Sequence, residues 1–170
     1  SWPGFRGDGS GVAKANVPTQ WSPTEGVAWQ ATIPGYGQSS PVVWNNKIYV
    51  TSSEGPFQED CQVHAFDLQS GKKLWTSHIA ATTKVENYFR NSRAAPTCCV
   101  DQDAVYSFFA SGDVTAMSHD GKQLWSLPLL TTFGNVDNER GVASSLAQTD
   151  DHLFVLIDHH GPSYLVAIEK

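Results

Sequence analysis

An all-β chain built from repeated four-stranded antiparallel blades, a β-propeller, is the fold class this sequence predicts, and three observations carry the prediction. Tryptophan recurs at Trp29, Trp75 and Trp125, in the settings VAW, GKKLW and GKQLW, at intervals of 46 and 50 residues. A period of that size belongs to propeller blades or to helical repeats. The second observation decides against helices: no amphipathic helix of useful length can be written, whereas alternating segments rich in β-branched and aromatic residues recur throughout. The third is punctuation, because Asn, Asp, Ser and Gly pairs separate those segments.

The first copy reads PVVW (41–44), KIYVTS (47–52), QVHAFDL (62–68) and KLWTSHI (73–79). Asn45-Asn46 tolerate positive φ in a tight hairpin, and Ser70-Gly71 supplies a later reversal. The second copy reads APTCCV (95–100), AVYSFF (104–109), DVTAMS (113–118) and KQLWSLPL (122–129). Its turns fall at Asp101 to Asp103, Ser111-Gly112 and Asp120-Gly121. The third reads SSLAQ (144–148), HLFVLID (152–158) and SYLVAIEK (163–170), with turns at Asp150-Asp151 and HHGP (159–162) and no fourth strand. Two columns align across the copies: Tyr49, Tyr106 and Phe154 in the second strand, and Ala65, Ala116 and Ala167 in the third.

The chain therefore divides into an irregular segment at 1–25, a lone outer strand at 26–33, blade 1 at 40–79, blade 2 at 95–129 and an incomplete blade 3 at 144–170. A propeller needs about four or more blades to close, and this length supplies about three. GVAWQATI (26–33) is expected to take the outer place in the last blade and so remove a free edge. The opening SWPGFRGDGSGVAKANVPTQWSP is expected to cross a propeller face as irregular chain, with Trp2 and Phe5 as anchors. Long stretches at 56–60, 80–93 and 131–143 have the length of functional or partner-facing loops.

Charged residues make up 16% of the chain and the formal net charge is −6, which leaves no electrostatic footprint for nucleic acid. The longest apolar runs, such as LFVLI (153–157), are too short to span a bilayer. The sequence begins with Ser1 and carries no basic-then-apolar leader, so any signal peptide is expected to have been removed or never to have been part of this sequence. Few lysines, with abundant Trp, Gly, Ser, Thr and Asn, suit an extracytoplasmic setting, periplasmic or secreted. Three cysteines do not make a disulfide framework.

FDLQSGKKLW (66–75) and AMSHDGKQLW (116–125) resemble the tryptophan-docking repeat of the quinoprotein family, and WPGFRGDGSGVA with SSPVV resembles secreted pyrroloquinoline quinone (PQQ)-like β-propeller repeat proteins. That family includes the outer-membrane barrel-assembly lipoprotein and the quinone-dependent alcohol dehydrogenases. The resemblance covers roughly the whole chain, and it implies the N-terminal part of a seven- or eight-bladed ring, closed by the remaining blades of the same chain or by further copies. Ser118 departs from the family's acidic position, and the third repeat stops at Glu169-Lys170, before a glycine and tryptophan.

Several groups could carry chemistry. The resemblance implies that the adjacent Cys98 and Cys99 would cover a quinone. Read from the residues, they are two small strand positions pointing to opposite faces, too close for an unstrained bond, and a bond from Cys61 to either is the third reading. Asp158-His159-His160 lacks the ligand count of a closed zinc site and reads as a solvated loop; His64, His78, His119 and His152 share no spacing. Ser39-Ser40 and Ser144-Ser145 occupy equivalent repeat positions, and no G-x-S-x-G elbow is present. Trp29, Trp75 and Trp125 read as packing between blades.

The positional argument concerns the residues that approach each inner strand, since these converge on the propeller axis. They are Tyr36 and Gln38, Asn91 and Arg93, and Glu139 and Arg140. Two arginines there would favour a carboxylate-bearing group, unless they pair with Glu139, Asp137 or Glu86. The reading is a non-catalytic propeller module that binds a protein or polymer partner, with no cofactor and no metal. The alternative is a fragment of a PQQ-dependent alcohol or sugar dehydrogenase, which would need PQQ with calcium.

Overall fold

A computed structural model of the chain describes residues 1–13, 15, 18–84 and 88–170; Glu86 lies outside them. It contains three antiparallel meanders. Blade 1 is β1 (Val42–Trp44), β2 (Lys47–Glu54), β3 (Asp60–Asp67) and β4 (Lys73–Ala80), in that spatial order. Blade 2 is β5 (Cys99–Val100), β6 (Val105–Phe108), β7 (Asp113–Met117) and β8 (Gln123–Pro128). Blade 3 is β9 (Ala147–Gln148), β10 (His152–Ile157) and β11 (Tyr164–Glu169).

Turn chemistry sets the reversals. Asn45 and Asn46 both take positive φ, 42° and 64°, which matches the twist of a two-residue hairpin between β1 and β2. The β3–β4 turn closes on Asp67, whose Oδ1 accepts from the amides of Gln69 and Ser70 and from the Ser70 hydroxyl. Register confirms both aligned columns: Tyr49 lies opposite Ala65, Tyr106 opposite Ala116 and Phe154 opposite Ala167. A β-bulge recurs at Ala65/Phe66 and again at Ala116/Met117. In each case the extra residue is a leucine, Leu74 or Leu124, turned outward at 43% and 52% exposure, which leaves Trp75 or Trp125 opposite the alanine.

Two cores alternate with the blades. Tyr49, Cys61, Val63 and Ala65 of blade 1 pack with Cys98, Val105 and Met117 of blade 2. The other face of blade 2, with Cys99, Tyr106, Val114 and Ala116, packs with Leu153, Val155 and Ile157 of blade 3. This is period-2 alternation in a stack of sheets: each strand gives alternate residues to the blade before and the blade after.

Residues 26–33 form no ladder with the three sheets, and Trp29 lies against Gly71 of blade 1. Two expectations need correction. Trp2 does anchor the opening segment, pairing with Val43 in both directions while Pro3 accepts from the amide of Val100. Phe5 does not, since it stands 51% exposed in a glycine-turned loop. A short helix, α1 (Leu129–Phe133), follows β8 inside a stretch read as strand and loop; burial of Leu129 and Leu130 under Gly112 explains it.

Candidate functional site

The residues before the inner strands come together on one face. Tyr36 is held by a backbone bridge to Ser53, and its hydroxyl donates to the carbonyl of Arg90 at 2.7 Å. Gln38 Nε2 donates to the same carbonyl at 3.1 Å, while its Oε1 accepts from the Ser92 amide at 2.8 Å. Asn91 Nδ2 donates to the carbonyl of Arg140 at 2.7 Å. Three of the six residues singled out by position thus spend their polar atoms on backbone groups, where they fix three loops against one another.

Arg93 and Glu139 are placed differently. Arg93 is 4% exposed, with its backbone tied to Gln58 and Ala110, so its side chain belongs to the protein interior. Burial pushes its pKa below the ordinary arginine range. Glu139 is exposed and borders a separate polar cleft of about 370 Å³ with Lys84 and Asp137.

What position alone did not single out is the aromatic pair of the same loop. The Tyr88 and Phe89 rings lie 4.6 Å apart between centroids. The Arg140 guanidinium sits 5.1 Å over Tyr88, and the Arg90 guanidinium 5.1 Å over Phe89. The available signal was compositional: YFR in a long loop, ahead of an inner strand.

A second feature lies beside β5 and β9. A cleft of about 730 Å³ opens beneath the N-terminal loop, among Gly4, Ser40, Thr97, Cys99, Ser144 and Ser145. Small side chains share its walls with Phe5, Gln38, Leu146 and Gln148, and two hydroxyls are already used: Thr97 Oγ1 accepts from the Ser40 amide, and Ser145 Oγ accepts from the Thr97 amide.

All three thiols are free and buried, and burial pushes each pKa up to about 12. Cys98 enters the core between blades 1 and 2, whereas Cys99 enters the core between blades 2 and 3. The sulfurs therefore share no surface, and this pair does not fit a quinone cover. Among the described residues no group of three His, Cys, Asp or Glu side chains could hold a metal. His159 differs from the solvated residue expected: its Nδ1 accepts from the amides of Asp137 and Gly161, and its ring meets the edge of Tyr164.

The tryptophans stand apart from this face. Trp75 Nε1 donates to the carbonyl of His119 at 3.0 Å, and Trp29 Nε1 donates to that of Leu68 at 3.0 Å. Leu68 and His119 are equivalent residues of successive blades, three beyond Ala65 and Ala116.

A family model described as outer membrane protein assembly factor BamB matches residues 12–168. The chain belongs to that family. Solved structures agree on its PQQ-like propeller fold. BamB from Moraxella catarrhalis is 16% identical with a TM-score of 0.53, over 84% of this chain and 36% of its own. Quinohemoprotein alcohol dehydrogenase ADHIIG from Pseudomonas putida HK5 is 14% identical with a TM-score of 0.56, over 83% and 20%. A europium-containing methanol dehydrogenase is 17% identical with a TM-score of 0.54, over 76% and 22%. This BamB-family chain spans between a fifth and about a third of the length of those structures. No curated protein matches it, and no helix among the described residues is long and apolar enough to cross a membrane.

Proposed function

We propose that this chain is a non-catalytic PQQ-like propeller module that binds a protein or polymer partner outside the cytoplasm. The observation that carries the reading is the use of the residues that precede the inner strands. Tyr36, Gln38 and Asn91 brace loops that carry two rings and two guanidiniums. Membership in a family described as an outer membrane assembly factor supports both the partner and the extracytoplasmic setting. In this reading Trp29, Trp75 and Trp125 are the tryptophan-docking residues of successive blades. The segment 26–33 stands at the outer edge of the blade preceding blade 1, because Trp29 meets blade 1 as Trp75 meets blade 2.

The test is reconstitution. The chain incubated with calcium and PQQ should show neither a bound-quinone absorbance band nor dye-linked oxidation of alcohols or sugars. Dye-linked turnover that depends on both additions would replace this reading with that of a dehydrogenase fragment.

A further inference from the structure

We propose that the ledge formed by Arg140, Tyr88, Phe89 and Arg90 binds an anionic polysaccharide whose sugar rings carry carboxylates. The proposal rests on the binding-module reading and names the polymer.

The four side chains form one contiguous cluster, the two rings tilted at 52° to each other. Two rings at 4.6 Å are flanked on either side by a guanidinium at 5.1 Å. Phe89 is 74% exposed, and Arg90 and Arg140 are exposed beside it. Among the described residues neither guanidinium forms an ion pair. Each guanidinium is exposed, so its planar N–H fork is open to grip a carboxylate with two parallel hydrogen bonds.

The backbone below is already ordered. The carbonyl of Arg90 accepts from Tyr36 and Gln38, and that of Arg140 accepts from Asn91. Binding therefore does not have to freeze the two loops, which lowers its entropic cost. Charge points the same way. Two of the four arginines of a chain with net charge −6, Arg90 and Arg140, stand exposed on the two loops that meet here. An anion meets a mostly acidic surface elsewhere and a cationic ledge at this place. Exposed Glu139 beside Arg140 works against densely charged polymers such as nucleic acid.

The rings select the class of anion. A uronic acid residue presents a flat C–H face to an aromatic ring and holds a carboxylate at its rim, so one repeating unit satisfies both ring and guanidinium. An acidic peptide carries its carboxylates on flexible stems, which must be ordered to reach the same positions.

Titration of the whole chain with polygalacturonate oligomers, followed calorimetrically, tests the proposal. Binding should fall about tenfold in each of Arg90→Gln and Arg140→Gln, the loss expected for one charge-assisted contact. Arg90→Lys should fall between Arg90→Gln and the parent, since it keeps the charge and loses the fork. Phe89→Ala should weaken binding while leaving the melting temperature unchanged, because the ring is mostly exposed. Methyl-esterified polygalacturonate, which keeps the sugar faces and removes the charge, should not bind.

Equal binding of the esterified polymer overturns the carboxylate requirement. Equal or tighter binding of poly-glutamate replaces the polysaccharide with an acidic peptide. No binding of polygalacturonate or alginate overturns the proposal. The binding-module reading survives that last result if photo-crosslinking from position 89 in envelope fractions still gives a discrete adduct. Loss of both sinks the two together.

Discussion

Trp75 rests against Gly121 of the following blade so closely that a Cβ on the glycine would stand 2.7 Å from the indole Cδ2. Gly121 also holds φ at 85°, a conformation L side chains avoid. Trp29 and Gly71 repeat the arrangement, with a contact of 2.5 Å and φ of 68°. The glycine of each repeat is thus read by the tryptophan of the repeat before it, which explains why the two residue types recur at a common period.

Gly121→Ala should destabilise the chain by about 2–4 kcal/mol, combining left-handed backbone strain with displacement of the ring. Gly9→Ala provides the comparison: φ is 90° there and nothing lies within 4 Å of the added carbon, so only the backbone cost of about 1–2 kcal/mol remains. Urea unfolding measures both. Equal losses would show that the indole contact contributes nothing.

Trp75→Phe removes a hydrogen bond to His119 as well as ring area, whereas Trp125 makes no indole hydrogen bond among the described residues. The His119 carbonyl keeps Lys47 Nζ as a donor at 2.8 Å, so no buried acceptor is stranded. Trp75→Phe should therefore cost about 1 kcal/mol more than Trp125→Phe. A reversed order in thermal unfolding would contradict this account of the two rings.

Architecture was legible in the sequence because period and alternation survive translation into strands: Tyr49 and Ala65 were matched as columns and stand opposite each other in the sheet. The bulge beside each tryptophan was not, since an extra residue in KKLW or KQLW looks like one more strand position. Position ahead of the inner strands singled out Tyr36, Gln38, Asn91 and Arg140, which hydrogen bonds to the carbonyls of Arg90 and Arg140 tie into one cluster. It could not tell a solvent-facing arginine from a buried one, because Arg93 and Arg90 sit three residues apart in one irregular loop and only packing separates them. Residues 26–33 alternate like a strand, but alternation records what a segment can pair with and does not supply the partner.

Lys170 ties blade 3 to blade 2. Its ammonium donates to Asp101 at 2.6 Å, Gln148 at 3.0 Å and the carbonyl of Thr149 at 2.8 Å, and lies 5.1 Å over the Tyr106 ring. Burial alone would raise the pKa of Asp101, but hydrogen bonds from Lys170 and from the amides of Asp103 and Ala104 outweigh it and hold the carboxyl below its ordinary value. A depressed carboxylate contributes stability above its unfolded pKa near 4 and loses it as pH falls through the folded value. Lys170→Met should therefore cost about 3 kcal/mol at pH 7, where it strands a partly buried charge, and clearly less at pH 2. Equal losses at the two pH values would show that the Asp101 charge plays no part.

His64 gives the protein a second acid-sensitive point, at higher pH. The side chain is fully buried in blade 1, where Nε2 meets Ser52 Oγ at 2.8 Å and Nδ1 meets Thr76 Oγ1 at 3.0 Å. Burial pushes its pKa down to about 4, with the positive charge of Lys73 acting in the same direction. The folded chain thus keeps His64 neutral in a range where the unfolded chain, with a value near 6.5, binds a proton. Stability attributable to this residue is complete above about pH 6.5, declines as pH falls, and levels off below about pH 4, a total of about 3 kcal/mol. His64→Gln retains a polar group for Ser52 without titrating, so its stability should fall less steeply between pH 7 and pH 4 although it is lower at neutral pH. Urea midpoints measured across that interval decide the matter: parallel curves for the two proteins would show that His64 takes up its proton equally well folded and unfolded.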